Sequence, residues 1–296
     1  MRAPRSFRLI AAAAVLLARS AHAQKSVPPT QPSARALIER ITTRLGGTWS
    51  PDDIDSFKAG DPDVPVSGIA VTMFATMDVL EQAAAAGANL IIVHEPTFYS
   101  HEDRLAPLEA ARDAITAEKR AFMRDHNIVV FRLHDHWHFP LRTPDPFVTG
   151  FFRELGWQHF QTAAADNVVT LPSTTLRALA SDLAHRLKVR TVRVVGDSSL
   201  RVTRVAFAPG FSGFAVQRSA LERDDVDALI IGEAHEWETI AWAADAQGQH
   251  RRKALIVLGH VASEQPGMIE FHRWLADVVP DVRTVMIRTA EPFWRP

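Results

Sequence analysis

The sequence predicts an α/β fold in two halves, and three observations carry that expectation. Short apolar runs alternate with helical patterns along the chain, the order found in layered α/β proteins. Several runs, such as Leu90-Ile91-Ile92-Val93 and Leu255-Ile256-Val257-Leu258, are apolar without alternation, as expected of strands covered on both faces. A polar, small-residue break at 161–166 separates two stretches of similar texture.

In chain order, the pattern predicts a helix over 34–45, a strand over 68–73, a helix over 78–86 and a strand over 89–93. A long helical stretch over 107–125 leads to a strand over 128–133. Beyond the break come a helix over 174–187, strands over 192–195, 202–206 and 228–231, and a helix over 235–246. A strand over 254–258, a helix over 266–278 and a strand over 282–287 complete the series. Strands are assigned where the apolar run is short and continuous, helices where apolar residues return at helical spacing.

Hydrophobic residues make up 47% of the 296 and charged residues 23%, a globular balance. The first 23 residues hold four of the 33 basic residues (Arg2, Arg5, Arg8 and Arg19) and no acid. The remainder therefore carries 29 basic against 34 acidic residues, a formal charge of -5. No basic field argues for nucleic acid or for a membrane surface. Arg2, Arg5 and Arg8 precede an apolar run over 9–18, and Ala21-His22-Ala23 stands before Gln24, the layout of a cleaved signal peptide. The run is too short for a bilayer, which needs ~20 residues. Residues 1–23 are thus expected to direct export to the periplasm or the medium. A Pro- and Ser-rich flexible arm over 24–34 follows, then halves over 35–163 and 164–296. The absence of cysteine excludes disulfides and thiolate chemistry.

Three expected strands end alike. The first runs into His94-Glu95-Pro96, the second into His134-Asp135-His136-Trp137-His138, and the third through Gly259 into His260, with Glu264 four residues on. In open α/β sheets, ligands bind beyond the carboxyl ends of strands. Extended chain puts His134, His136 and His138 on one face and Asp135 and Trp137 on the other. On a helix, His260 and Glu264 lie one above the other. Imidazoles and carboxylates without thiolate suit Zn, Mn, Fe, Co or Ni. Alone, residues 134–138 also read as a polar loop and 260–264 as an exposed capping pair; together, at strand ends, they argue for a metal site.

Glu233, after the strand over 228–231, has two readings: a partner orienting a ligand imidazole, or a first-turn acid favoured by the helix dipole. Pro209-Gly210-Phe211-Ser212-Gly213 reads as a turn, with a backbone anion nest as the other possibility. The phosphate-loop, dinucleotide, nucleophile-elbow and H-E-x-x-H patterns are absent, leaving metal-assisted chemistry.

Over residues 35–295 the chain resembles the Nif-three-like dinuclear metal-centre family, also called GTP cyclohydrolase 1 type 2. The resemblance rests on GDPDVPVSGIAVTMFATMDVLEQAAAAGANLIIVHEP, VVFRLHDHWH, RVAFAPGFSG, DALIIGEAHEWE and GHVASE. It implies two interlinked α/β halves with two divalent ions between them, and a toroidal homohexamer. His94 matches the first His of the family's His-His pair, and Glu95 stands where the second would be. His138 stands where the family has an Asp, while His260 and Glu264 match the G-H-x-x-x-E unit unchanged. The departures at 95 and 138 are reciprocal and keep three imidazoles and two carboxylates. In the competing assignment Asp135 takes the acid's place, and His136 is a further candidate for the site. The resemblance implies hydrolytic opening of a bond; His134, on the same extended face as His138, is the expected proton shuttle, and Glu233 the expected supporting residue. The substrate is an unidentified small molecule, since an exported enzyme rarely meets GTP. A non-catalytic metal-binding or interaction protein is the alternative.

Overall fold

The computed structural model describes residues 31–50, 53–138, 144–161 and 167–296. The expected signal peptide and most of the expected flexible arm lie outside these residues, as does nearly all of the expected break.

The chain first forms α1 (Ala34–Leu45), β1 (Phe57–Ala59), β2 (Ile69–Thr72), α2 (Met77–Ala85) and β3 (Leu90–Val93). Then come α3 (Ala106–Ala110), α4 (Ala114–Asp125), β4 (Val129–Arg132) and α5 (Pro146–Glu154). The second sheet is built from β5 (Val168–Thr175), β6 (Arg193–Val195), β7 (Arg201–Ala208), β8 (Ala228–Ile231) and β9 (Ala254–Val257). Its helices are α6 (Leu176–Leu187), α7 (Phe214–Glu222) and α8 (Ala241–Gly248), and the chain closes with α9 (His260–Val278) and β10 (Thr284–Met286).

One sheet has the order β1-β4-β3-β2-β10 and the other β5-β7-β8-β9-β6. The middle strands of each are parallel and the antiparallel ones sit at edges. β2, β3, β4, β8 and β9 are buried along their whole length, which accounts for their unalternating apolar sequences. The halves are interlinked because β10 pairs in parallel with β2, Thr284 beside Ile69, so the last strand completes the first sheet.

Between the sheets lie α5 and α9. Phe147 of α5 and Met268, Phe271 and Leu275 of α9 join the core of the first sheet, while Phe151 and Phe152 join that of the second. Each buried phenylalanine contributes roughly 2 kcal/mol. The two helices touch through glycine: a Cβ at Gly150 would collide with Pro266 O, and one at Gly267 with the Phe147 ring.

Several elements differ from expectation. The helix expected over 107–125 breaks before Asp113, whose side chain caps Thr116 N at 2.7 Å and starts α4. α9 begins at His260 and carries Pro266 inside it, although proline favours a first turn. The stretch over 235–246 opens with a π-helical turn, Glu236–Ile240, before α8. β1, β5, α5 and α7 were not anticipated; β5 is an edge strand containing Pro172, a position where proline costs no ladder bond. No helix of the described residues is long and apolar enough to cross a membrane.

Candidate metal centre

The carboxyl ends of β3 and β4 in one sheet and of β8 and β9 in the other lead to residues that meet between the sheets. Beyond β3, His94 and Glu95 are held by backbone bonds from both N–H groups to Met73 O at 3.2 and 2.9 Å. Beyond β9, α9 carries His260 and Glu264 on one face, with His260 Nε2 and Glu264 Oε2 2.8 Å apart. Gly210, after β7, presses on that carboxylate at φ +54°, and a Cβ there would collide with Glu264 Oε1.

Residues 134–138 are not extended. They form a turn in which Trp137 N and His138 N donate to His134 O at 3.2 and 3.3 Å. The expectation of one face for three histidines is therefore corrected. Asp55, which is buried, accepts from the backbone N–H groups of His134, Asp135 and His136 at 2.5, 3.1 and 2.8 Å. Trp137 enters the core beside α9 and donates to Gly267 O at 3.1 Å. His134 and His138 face the centre, whereas His136 stacks on Trp49 at 3.5 Å and its ring nitrogens meet Asp55 Oδ2 and Thr48 O. The Asp135 carboxylate sits behind His134, 2.7 Å from its Nδ1.

Four imidazoles share one arrangement. His94 Nδ1 meets Leu133 O at 3.1 Å, His134 Nδ1 meets Asp135, His138 Nδ1 meets Asp145 at 3.0 Å, and His260 Nδ1 meets Glu233 at 2.9 Å. A carbonyl or carboxylate only accepts, so each Nδ1 carries a proton and each Nε2 is left as the inward donor atom. Glu95 Oε1 lies 2.9 Å from His260 Nε2 and 3.8 Å from both His94 Nε2 and His134 Nε2. Glu264 Oε2 is buried 3.5 Å from His94 Nε2, with no aligned hydrogen bond. Two overlapping groups could hold a metal ion: His94, His134 and His138, and His94, Glu95 and Glu264, each with ligand atoms within 4.8 Å of one another. This set of imidazole nitrogens and carboxylate oxygens fits a divalent cation. Glu95 and His138, the two reciprocal departures, both reach it.

Electrostatics follow from crowding. Burial, with the fields of His134 and His138, holds His94 well below the ordinary imidazole range. Burial also lowers His138 and His260, but neighbouring carboxylates outweigh it; His138 rises on its bond to Asp145, and His260 is pushed up to about 12 by Glu233, Glu264 and Glu95. Burial raises Glu95, and the His260 bond together with the fields of His260, His134 and Arg132 more than reverses this. Arg132, fully buried, points Nη2 at Glu95 Oε2 at 3.6 Å and donates from Nε to His94 O at 3.0 Å.

Asp55, Asp145, Arg132 and Gly210 are thus parts of the site that sequence reasoning missed. Only Gly210 carries a sequence signal, in the turn that also reads as an anion nest; its N–H is taken by Ser263 Oγ at 3.0 Å.

The model of the Duf34/NIF3 (NGG1p interacting factor 3) family matches residues 56–292. A GTP cyclohydrolase 1 type 2 homolog of Clostridium acetobutylicum is 24% identical over 231 residues, 74% of this chain and 80% of that protein. One of the same name from Chlamydia pneumoniae is 24% identical over 263 residues, 86% and 95% of the two chains. Among solved structures, a Bacillus cereus protein related to NIF3 superposes with a TM-score of 0.69 at 15% identity, covering 90% of this chain and 100% of that one. Staphylococcus aureus protein SA1388 superposes with a TM-score of 0.66 at 16% identity, covering 89% and 99%.

Proposed function

The chain belongs to the Duf34/NIF3 family, and from that premise we propose that it is a metal-dependent hydrolase with two divalent ions held by His94, Glu95, His138, His260 and Glu264. The observation that carries the reading is the convergence of four Nε2 atoms, each with its Nδ1 engaged, on two buried glutamates. The two relatives named as GTP cyclohydrolase 1 type 2 homologs support a bond-opening reaction.

Divalent ions bound there supply Lewis-acid polarisation and acidify water. The chain's own residues hold the geometry and move the proton. Asp145 and Glu233 lock the His138 and His260 rings, and Arg132 offsets the charge of Glu95. His134, 22% exposed in its side chain and paired with Asp135, is the group suited to pass a proton between the centre and solvent.

Elemental analysis of protein purified without chelator tests the reading: close to two divalent ions per chain is expected, and none after reconstitution overturns it. A phosphoester and cyclohydrolase screen on the loaded protein then separates the hydrolase from a non-catalytic metal-binding protein. The export signal and the homohexamer are part of the proposal, supported by the leader pattern and the family resemblance. Amino-terminal sequencing of exported protein and a sizing column test them.

A further inference from the structure

A cavity of about 660 Å³ opens beside the centre, with Glu95 and His260 in its wall. The same wall holds Thr97 and Lys119. Lys119 Nζ donates to Thr97 O at 2.6 Å, two residues along the chain from Glu95. Two residues span at most about 7 Å, so a small molecule can reach both the ammonium and the centre.

Lys119 is only 3% exposed, and no carboxylate of the described residues lies within ion-pairing distance of it. Asp103, whose field reaches Lys119, accepts from Phe98 N at 2.6 Å and faces Arg132 at 3.9 Å. An ammonium has three donors; Lys119 gives one to Thr97 O and otherwise faces the Phe98 and Tyr99 rings at 5.8 and 5.1 Å, so no anion neutralises its buried charge, which is costly. Thr97 Oγ1 is also buried with no hydrogen-bond partner. Burial pushes the Lys119 ammonium down to about 8, a cost that an anionic ligand offsets. Phe74, Phe211 and His235 line the same cavity, with Phe211 and His235 rings 4.9 Å apart and Phe211 45% exposed.

We propose that Lys119 and Thr97 form the anion-recognising wall of this cavity, and that its ligand is a small molecule carrying a carboxylate or phosphoryl group on an aromatic body. The proposal rests on the hydrolase reading in one respect: the bond to be opened is the one this anchor presents to Glu95 and His260.

The test is calorimetric binding of phenyl phosphate, benzoate and phenol to the purified protein and to Lys119→Met, Lys119→Arg and Thr97→Val, with metal content measured on each. A charge-assisted hydrogen bond predicts binding of at least one anion about tenfold or more weaker in Lys119→Met, and near wild type in Lys119→Arg. Thr97→Val weakens the same anion less, and phenol binding does not change. Which of the two anions shows the effect distinguishes phosphoryl from carboxylate ligands. Equal anion binding by wild type and Lys119→Met at full metal content overturns the anchor and leaves the hydrolase reading standing. Lys119-dependent binding in protein that holds no metal does the reverse. A wild-type readout covers a variant that fails to fold: acetylation of Lys119, followed by peptide mass spectrometry, is slowed by the anion and not by phenol. Equal labelling overturns the proposal.

Discussion

The Nε2 atoms of His94 and His138 face each other at 3.3 Å, while the Nδ1 atoms of both rings donate outward to Leu133 O and Asp145. Two lone pairs at that separation repel unless a proton or a cation lies between them. In metal-free protein His138 keeps the proton, since it is raised and His94 is lowered. A metal ion removes the need for that proton.

His94 belongs to both groups that could hold a metal ion, and the proposed ligand His138 to one. His94→Ala is therefore expected to lose all bound metal, and His138→Ala to retain metal on the carboxylate side. Elemental analysis of both variants decides; equal loss contradicts the shared role of His94.

Asp145 orients His138 and also caps α5 through Phe147 N at 2.7 Å. Asp145→Asn keeps the cap but alters the imidazole's partner, so metal affinity should fall by about 10–100-fold with little change in melting temperature. Competition against a chelating dye measures it.

Metal uptake should release protons. In metal-free protein His260, pushed up to about 12, is charged at neutral pH, and a cation must displace that proton. Affinity is expected to rise with pH, about tenfold per unit for each proton released. The raised value also stabilises the metal-free fold fully below the unfolded value of ~6.5, an advantage lost as pH climbs toward the folded value. The melting difference between chelated wild type and His260→Ala should therefore shrink from pH 6 to pH 9.

Gly210→Ala places a Cβ against Glu264 at positive φ. A loss of about 1–3 kcal/mol is expected, together with reduced metal content. Denaturant melts with metal analysis check both, and an unaffected metal content would show that Glu264 can yield.

Lys119 is lowered in the fold to about 8 from 10.5, so folding disfavours its charged form. The cost is full below the folded value and disappears as pH rises toward the unfolded one. Lys119→Met, relative to wild type, should be more stable at pH 7 than at pH 10, by about 2 kcal/mol. Paired urea melts at the two pH values read the difference.

The sequence by itself determined what depends on neighbours along the chain. Runs such as Ala228–Ile231 became strands because burial on both faces demands continuous apolarity. His260 and Glu264 met because four residues make about one helical turn. The reciprocal departures at Glu95 and His138 were legible from the motif alone. The tertiary structure decided what depends on distant partners. Asp55 reaches His134 across 79 positions, and His260 reaches Glu95 across 165; no local pattern marks such pairs. The burial of Trp137 turned residues 134–138 and sent His136 away from the centre, because an apolar indole gains more in the core than an extended strand offers. Arg132 and Lys119 read as ordinary basic residues, and only the fold, by removing water from around them, made their charges part of the site.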